Sequence, residues 1–251
     1  MVHFIGAGCG APDLITLRGK RLLEEADVII YAGSLVNTEL LKYAKEGCEI
    51  YDSAKMTLEE VLSVIVSAEE NGKTTARLHS GDPSLYGAIG EQMREFDLRG
   101  IEYDVTPGVS AFSGAAAALK TEYTLPDVSQ TVIITRASGK TIVPESENLR
   151  SLASHGATMV LFLSTALLSK VSSELIEGGY APDTPAAIVY KASWEDEKIC
   201  RCTLATLEQT AKDNGITKTA LITVGGFLES EFSRSRLYDP TFTTEFREAC
   251  K

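Results

Sequence analysis

The sequence predicts an α/β protein of two αβα lobes, the N-terminal one built on a mainly parallel sheet and the C-terminal one on a mixed sheet. Three observations predict it. In the first half, short apolar runs alternate with helix-periodic segments, the order that lays parallel strands beside crossover helices. Two glycine-containing loops, residues 6–10 and 80–87, each follow one of those apolar runs. After residues 120–130, which show no periodicity, the pattern restarts and includes two successive strand-like runs with no helix between them, which argues for antiparallel pairing.

The elements follow in order. Residues 2–5 form a short apolar strand ending in glycines, 14–25 a helix, and 28–31 a second strand. Thr57-Leu-Glu-Glu60 is a capping-box signature that opens a helix running to about Asn71. Residues 74–79 are a strand and 80–87 a loop, followed by a helix to about Leu98. Asp82-Pro83 reads as the start of that helix, with aspartate as N-cap and proline at the first helical position. Residues 102–105 are a strand, Pro107-Gly108 a turn, and 110–119 an alanine-rich helix. The second half gives strands at 131–135, 158–163, 186–190, 197–203 and 220–224, and helices at 145–154, 167–177 and 204–213. The expected division is therefore an N-terminal lobe of residues 1–119, a linker at 120–130 and a C-terminal lobe of 131–251. The segment beyond Phe227 is polar and aromatic, suited to lying over the body or over a partner subunit.

Composition excludes several classes. Hydrophobic residues make up 44% and charged residues 24% of the 251 positions, as in an ordinary globular chain. No apolar run approaches the roughly 18–20 residues of a membrane helix. The N-terminus lacks a signal-peptide pattern, so the expectation is a cytoplasmic protein with no membrane partner. The net charge of −11, from 24 basic and 35 acidic residues, opposes binding to a phosphate backbone, so no nucleic acid is expected. Cys9, Cys48, Cys200, Cys202 and Cys250 are odd in number and irregularly spaced, which fits free thiols in a reducing compartment. His3, His79 and His155 form no H-x-x-H pair, no Ser-His-Asp set is visible, and no metal site is expected.

Both glycine loops stand at the carboxyl ends of predicted parallel strands, where open α/β sheets bind ligands. Gly6-Ala-Gly-Cys-Gly10-Ala fits G-x-G-x-x-A loosely. The acidic residue of a dinucleotide site is missing at the end of the second strand, where Tyr31-Ala-Gly33 stands, and Pro12 delays the helix. The glycines imply close backbone approach, by a ligand or by another segment. The second loop, Ser80-Gly-Asp-Pro-Ser-Leu-Tyr-Gly87, combines a carboxylate with exposed amides and suits a polar, cationic or hydroxyl-rich ligand. His79 borders it, as a ligand group or as a hydrogen-bonded strand-end residue.

At these two loops the sequence resembles the tetrapyrrole (precorrin/uroporphyrinogen) methylase family. The family's G-x-G-P-G-x-x-x-L-x-T stretch stands as Gly6-Ala-Gly-Cys-Gly10-Ala-Pro-Asp-Leu14-Ile-Thr16, and its G-D-P-x-x-Y-G loop as Gly81-Asp-Pro-Ser-Leu-Tyr-Gly87. The likeness continues through Val105-Thr-Pro-Gly-Val-Ser-Ala111, Thr184-Pro185 and Thr219-Ala-Leu-Ile222 and spans nearly the whole chain. Cys9 departs from the family's proline. The resemblance implies a homodimer with a ligand cleft between the two lobes, holding S-adenosyl-L-methionine, which leaves as S-adenosyl-L-homocysteine. Carried over by position, the donor contacts are Cys9, Ser80, Gly81, Asp82, Leu85, Ser110, Ala111, Leu163, Ala192 and Ala220, largely through backbone groups.

Within the family the likeness points to the branch that methylates C11 of precorrin-4 or of its cobalt form in corrin synthesis. It rests on Tyr31-Ala-Gly-Ser-Leu-Val36, Thr131-Val-Ile-Ile-Thr-Arg-Ala-Ser-Gly-Lys-Thr141, Val189-Tyr-Lys-Ala-Ser-Trp-Glu-Asp-Glu-Lys198 and Ser235-Arg-Leu-Tyr-Asp-Pro-Thr-Phe-Thr-Thr-Glu-Phe-Arg247. Thr244 stands where that branch usually has histidine. The alternatives are a sibling methylase acting at another ring position and a nicotinamide-dependent oxidoreductase. Methyl transfer from a sulfonium is an in-line displacement by an activated donor, so alignment is the main demand and few acid–base groups are expected. Asp82 is the one candidate catalytic side chain. An anionic tetrapyrrole calls for local positive charge or a flat apolar border, which Arg136, Lys140, Lys191 and Tyr86 supply unless they are solvated surface charge and core packing.

Overall fold

The computed structural model describes residues 1–229 and 231–250. It divides into two units, Met1–Ala115 with Lys191–Glu197, and Ala116–Tyr190 with Lys198–Lys251, of which Ser230 and Lys251 lie outside the described residues.

The first unit holds strands β1 (Val2–Gly6), β2 (Val28–Tyr31), β3 (Glu49–Asp52), β4 (Thr75–His79) and β5 (Tyr103–Thr106) in the order β3-β2-β4-β1-β5. Every neighbouring pair is parallel. Helices α1 (Leu17–Glu25), α2 (Leu58–Glu70), α3 (Ile89–Arg99) and α4 (Ala111–Leu119) intervene, the last crossing the division between the units. Because side chains alternate along a strand, the sheet buries residues on both faces. Phe4, Ile30, Ile65 and Phe96 fill one face. Ile5, Ile29, Leu78 and Leu23 fill the other. Each such side chain, fully buried, contributes roughly 1.5–3 kcal/mol. Two of the carbonyl-rich strand ends that result, those of β1 and β4, carry the glycine loops.

The second unit holds β6 (Val132–Arg136), β7 (Thr158–Phe162), β8 (Pro185–Tyr190), β9 (Lys198–Thr203) and β10 (Ala220–Val224) in the order β6-β7-β10-β8-β9. Only β6 and β7 are parallel; β10 runs antiparallel to β7 and β8, and β9 antiparallel to β8. The mixed sheet follows from connection length: 191–197 is too short for a crossover, so β9 must return beside β8. Helices α5 (Leu149–Ala153), α6 (Leu168–Glu177) and α7 (Leu207–Asp213) cover a core of Met159, Leu161, Ile188, Ile222, Leu175 and Leu207. Residues 120–130 carry no helix or strand and group with this unit, where Tyr123 and Leu125 are buried.

The α2 capping box forms as expected. Glu60 N–H donates to Thr57 Oγ1 at 3.3 Å and Thr57 N–H to Glu60 Oε2 at 2.7 Å. Three local expectations are corrected, and one strand was not expected. Strand β3 had no counterpart in the sequence reading, since its exposed Glu49 and half-buried Tyr51 hide the alternation of an edge strand. Pro12–Leu14 is a separate 3-10 turn, and α1 starts at Leu17 behind Thr16, whose hydroxyl accepts from Gly19 N–H at 3.0 Å. The expected 145–154 helix is a 3-10 turn followed by α5, capped by Asn148. Asp82 does not cap a helix: α3 begins at Ile89, because Tyr86 (φ 57°) and Ala88 (φ 51°) turn left-handed in between. Among the described residues no helix is long and apolar enough to cross a membrane.

Candidate functional site

In the first unit, three strand ends meet through glycine. Gly8 and Gly81 form an isolated antiparallel bridge, with Gly81 N–H to Gly8 O at 2.8 Å and Gly8 N–H to Gly81 O at 3.2 Å. A Cβ on Gly6 would stand 2.5 Å from Gly108 Cα and 2.7 Å from Gly81 O; one on Gly108 would stand 2.1 Å from Gly81 O. The close approach that the glycines of the first loop imply is therefore, at Gly6, to other backbone. Gly108, read from sequence only as a turn, is the third member. These contacts lock the ends of β1, β4 and β5 together.

Asp82 holds the same junction. One carboxylate oxygen accepts from Gly108 N–H at 2.9 Å, and the other accepts from the Ser84 amide at 2.9 Å and the Ser84 hydroxyl at 2.5 Å. Burial raises its pKa, but the hydrogen bonds from Ser84 and Gly108 outweigh that and hold the carboxyl below its ordinary value. Gly81 lies beside the start of α4, where its Cβ would be 3.5 Å from Ala111 N and 3.6 Å from Ser110 Cα. Ser80, Gly81, Asp82, Ser110 and Ala111 are thus brought together at one edge of the sheet.

The first loop is fastened by the 191–197 segment. The Ser193 hydroxyl accepts from Ala11 N–H at 3.0 Å and lies 3.2 Å from the Cys9 thiol. The Trp194 indole N–H donates to Cys9 O at 3.2 Å, and its ring fills the space that a side chain on Gly10 would need. Asn37 Nδ2 donates to Gly10 O at 3.0 Å. The Cys9 sulfur occupies the room left by Gly114, 2.6 Å from where its Cβ would be, and the Ala192 methyl lies against the same point. Asn37, Ser193, Trp194 and Gly114 were assigned no role from sequence. The contacts are long-range, and the one sequence signal for them was the chain's single tryptophan, standing just before Glu195-Asp-Glu197.

In the second unit, Leu163 follows β7 and Ala220 opens β10 on one edge of the sheet, as the pairing of Ile222 with Leu161 requires. Thr165 Oγ1 donates to Ala220 O at 3.1 Å. Leu163 is 65% exposed with φ 51°, an unusual state for a branched apolar residue. Among the described residues, six of the eight non-glycine residues with positive φ (Tyr86, Ala88, Leu163, Lys191, Ser193 and Thr219) are in or next to the expected ligand segments. Such strain persists where surrounding structure enforces it, commonly at functional sites.

The residues expected to receive an anion differ among themselves. The Arg136 guanidinium donates to Thr141 O at 3.0 Å, Thr141 Oγ1 at 2.8 Å and Ile142 O at 2.9 Å, so it braces its own loop. Lys191 pairs with Asp196 at 2.6 Å and lies 5.3 Å from the centre of the Trp194 ring. Lys140 is exposed, and Tyr86 is 44% exposed. His79 is 4% exposed and its pKa is pushed down to about 3, by burial first and by the Arg77 charge second, so its ring is neutral. Its Nε2 has no hydrogen-bond partner among the described residues, which corrects the expectation of a satisfied strand-end histidine. No group of three or more His, Cys, Asp or Glu residues able to hold a metal occurs among the described residues.

Comparison with known proteins gives a consistent picture. A family model described as tetrapyrrole (corrin/porphyrin) methylases matches residues 1–208. The chain is 55% identical over its full length to a cobalt-precorrin-4 C(11)-methyltransferase of Methanocaldococcus jannaschii, covering 97% of that protein. It is 48% identical over 94% of its length to a precorrin-4 C(11)-methyltransferase of Mycobacterium tuberculosis, covering 95% of it. Among solved structures, a cobalt precorrin-4 methyltransferase superposes with a TM-score of 0.89 at 47% identity, over 91% of this chain and 96% of the other. A uroporphyrin-III C-methyltransferase from Thermus thermophilus does so at 0.75 and 26% identity, over 90% and 92%.

Proposed function

Because the chain belongs to the tetrapyrrole (corrin/porphyrin) methylase family, we propose that it transfers a methyl group from S-adenosylmethionine to C11 of precorrin-4 or cobalt-precorrin-4. Membership makes it a methyltransferase. The donor, the ring position and the substrate's metal state are our reading. The observation that carries the reading is the identity of 45–55% to full-length relatives that bear the C11 name in both metal-free and cobalt forms.

The site chemistry supports a sulfonium donor. Ser80, Gly81, Asp82, Leu85, Ser110, Ala111, Cys9 and Ala192 of the first unit, with Leu163 and Ala220 of the second, are the residues proposed to hold it. They stand at or near strand ends, and Ser80, Gly81, Ser110, Ala111, Ala192 and Ala220 among them have small side chains. The sulfonium supplies an already activated methyl group. The protein's task is to hold the acceptor carbon in line with it, and a neutral, buried His79 and a fully engaged Asp82 fit a reaction that needs no proton shuttle at the donor. Asp82 is best read as the group that clips the second loop to Gly108 rather than as an acid or base.

Lys140, which is exposed, is better placed for the anionic substrate than Arg136 and Lys191, which would have to give up protein contacts, and Tyr86 remains a proposed border for the flat ring. The absence of an acidic residue at the end of β2 disfavours the oxidoreductase reading, since Tyr31, Ala32 and Gly33 occupy that point and Asp52 of the next strand caps its own turn through Ala54 N–H at 2.9 Å. We further propose a cytoplasmic homodimer that binds neither nucleic acid nor membrane. The test is incubation with S-adenosylmethionine and precorrin-4, with and without cobalt, followed by mass and NMR analysis. A gain of one methyl at C11 is expected. Methylation at another carbon would move the chain to a sibling activity, and retention of NADH with no uptake of the methyl donor would remove the reading.

A further inference from the structure

Arg77, in the middle of β4, is buried at 6% exposure beside the neutral His79, with no acidic partner among the described residues. A guanidinium so placed is costly to bury and is held only where its donors find acceptors. Its hydrogen bonds lead somewhere specific. Arg77 Nη1 donates to Ile30 O on the neighbouring strand at 3.1 Å, and Arg77 Nε donates to Gln92 Oε1 at 3.1 Å. Gln92, in the first turn of α3 and 4% exposed, donates through Nε2 to Ala88 O at 3.1 Å.

Ala88 is the residue that most needs holding. It precedes α3 in the left-handed conformation (φ 51°, ψ 35°), caps the helix without a side-chain bond, and follows the left-handed Tyr86 at φ 57°. These two residues turn the chain out of the 80–87 loop. Neither is glycine, so the conformation must be imposed from outside. A side-chain hydrogen bond from Gln92 reaches this exit at Ala88, and Gln92 is in turn oriented by Arg77. The amide has an acceptor toward Arg77 and a donor toward Ala88, a polarity that neither Glu nor an apolar residue reproduces.

We propose that Arg77 and Gln92 are positioning residues that hold the strained exit of the 80–87 loop, and thereby set the geometry of its methyl-donor contacts. The inference rests on the donor reading of that loop. Two variants separate it from a merely structural role. Arg77→Met removes the buried charge and keeps the volume. Gln92→Glu keeps an acceptor for Arg77, now in a charge pair, and loses the donor to Ala88. Both are expected to fold, yet to bind S-adenosylhomocysteine about tenfold more weakly by calorimetry, the worth of roughly one hydrogen bond. Faster amide hydrogen exchange at residues 85–90 is expected in both. Folded variants with wild-type affinity and exchange overturn the proposal. If the wild type fails to bind S-adenosylhomocysteine, the donor reading falls, while the exchange rates at 85–90 still decide whether the relay holds the loop. If Arg77→Met does not fold, Gln92→Glu decides alone by the same two measurements.

Discussion

A methyl group placed on Gly108 would stand 2.1 Å from the Gly81 carbonyl, with no flexible side chain to yield. Gly108→Ala should therefore push apart the ends of β4 and β5. We expect a loss of about 1–3 kcal/mol in urea unfolding together with weakened donor binding. Gly90, on the exposed side of α3 with nothing within 4 Å of its added Cβ, gives the opposite sign. Gly90→Ala should stabilise by roughly 0.5–1 kcal/mol through helix propensity and leave binding unchanged. His79 makes a pH prediction. Its pKa falls from 6.5 to about 3 in the folded protein, so below pH 6.5 the unfolded chain takes up a proton that the folded one refuses. Its contribution is present above pH 6.5 and is lost as pH falls toward 3. The carboxylates with lowered values, such as Asp27 at about 2 and Glu49 held below 4.5, act mainly below about pH 4.5. Between pH 6.5 and 4.5 the wild-type melting temperature should decline, and His79→Leu should flatten that decline. An equal slope in both proteins would remove His79 from the account.

At the scale of elements, the 191–197 segment connects two antiparallel strands in sequence yet groups with the parallel unit. Trp194 and Ser193 explain this, since both fasten the first glycine loop. Trp194→Ala should cost less than the roughly 3–5 kcal/mol of a fully buried tryptophan, because the ring is only half-buried. It should nonetheless reduce donor affinity, measured by calorimetry, by more than Trp194→Phe, which keeps the packing and loses only the hydrogen bond to Cys9 O. Cys9 is accommodated by the same arrangement: its thiol fits the notch at Gly114 and meets Ser193, so the position tolerates cysteine where the family has proline.

For the whole molecule, the segment 231–250 bonds mainly to itself. Arg247 Nη2 donates to Leu237 O at 3.1 Å and Asp239 O at 2.6 Å, and Cys250 N–H to Pro240 O at 2.7 Å. Leu237, Tyr238 and Phe246 remain exposed. The proposed homodimer should appear in light scattering at about twice the 27.1 kDa of one chain. A single-chain mass at micromolar concentration would count against it.

Much was legible because it is local. Strand and helix periodicity, the Thr57 capping box and the two loop motifs each lie within a few residues, where the backbone's own sterics and hydrogen bonding decide the outcome. The apolar alternation therefore determined two α/β halves, and the motifs determined the family. What only the tertiary structure decided depends on partners far along the chain. Whether Asp82 would cap a helix turned on the left-handed Tyr86 and Ala88 and on Gly108 supplying its amide. Whether the first loop's glycines face a ligand or backbone turned on where β5 ends. The loop motif at 80–87 names residues of the proposed site; the buried Arg77–Gln92 pair and the Gly6–Gly81–Gly108 contact are long-range packing, which no short stretch of sequence displays.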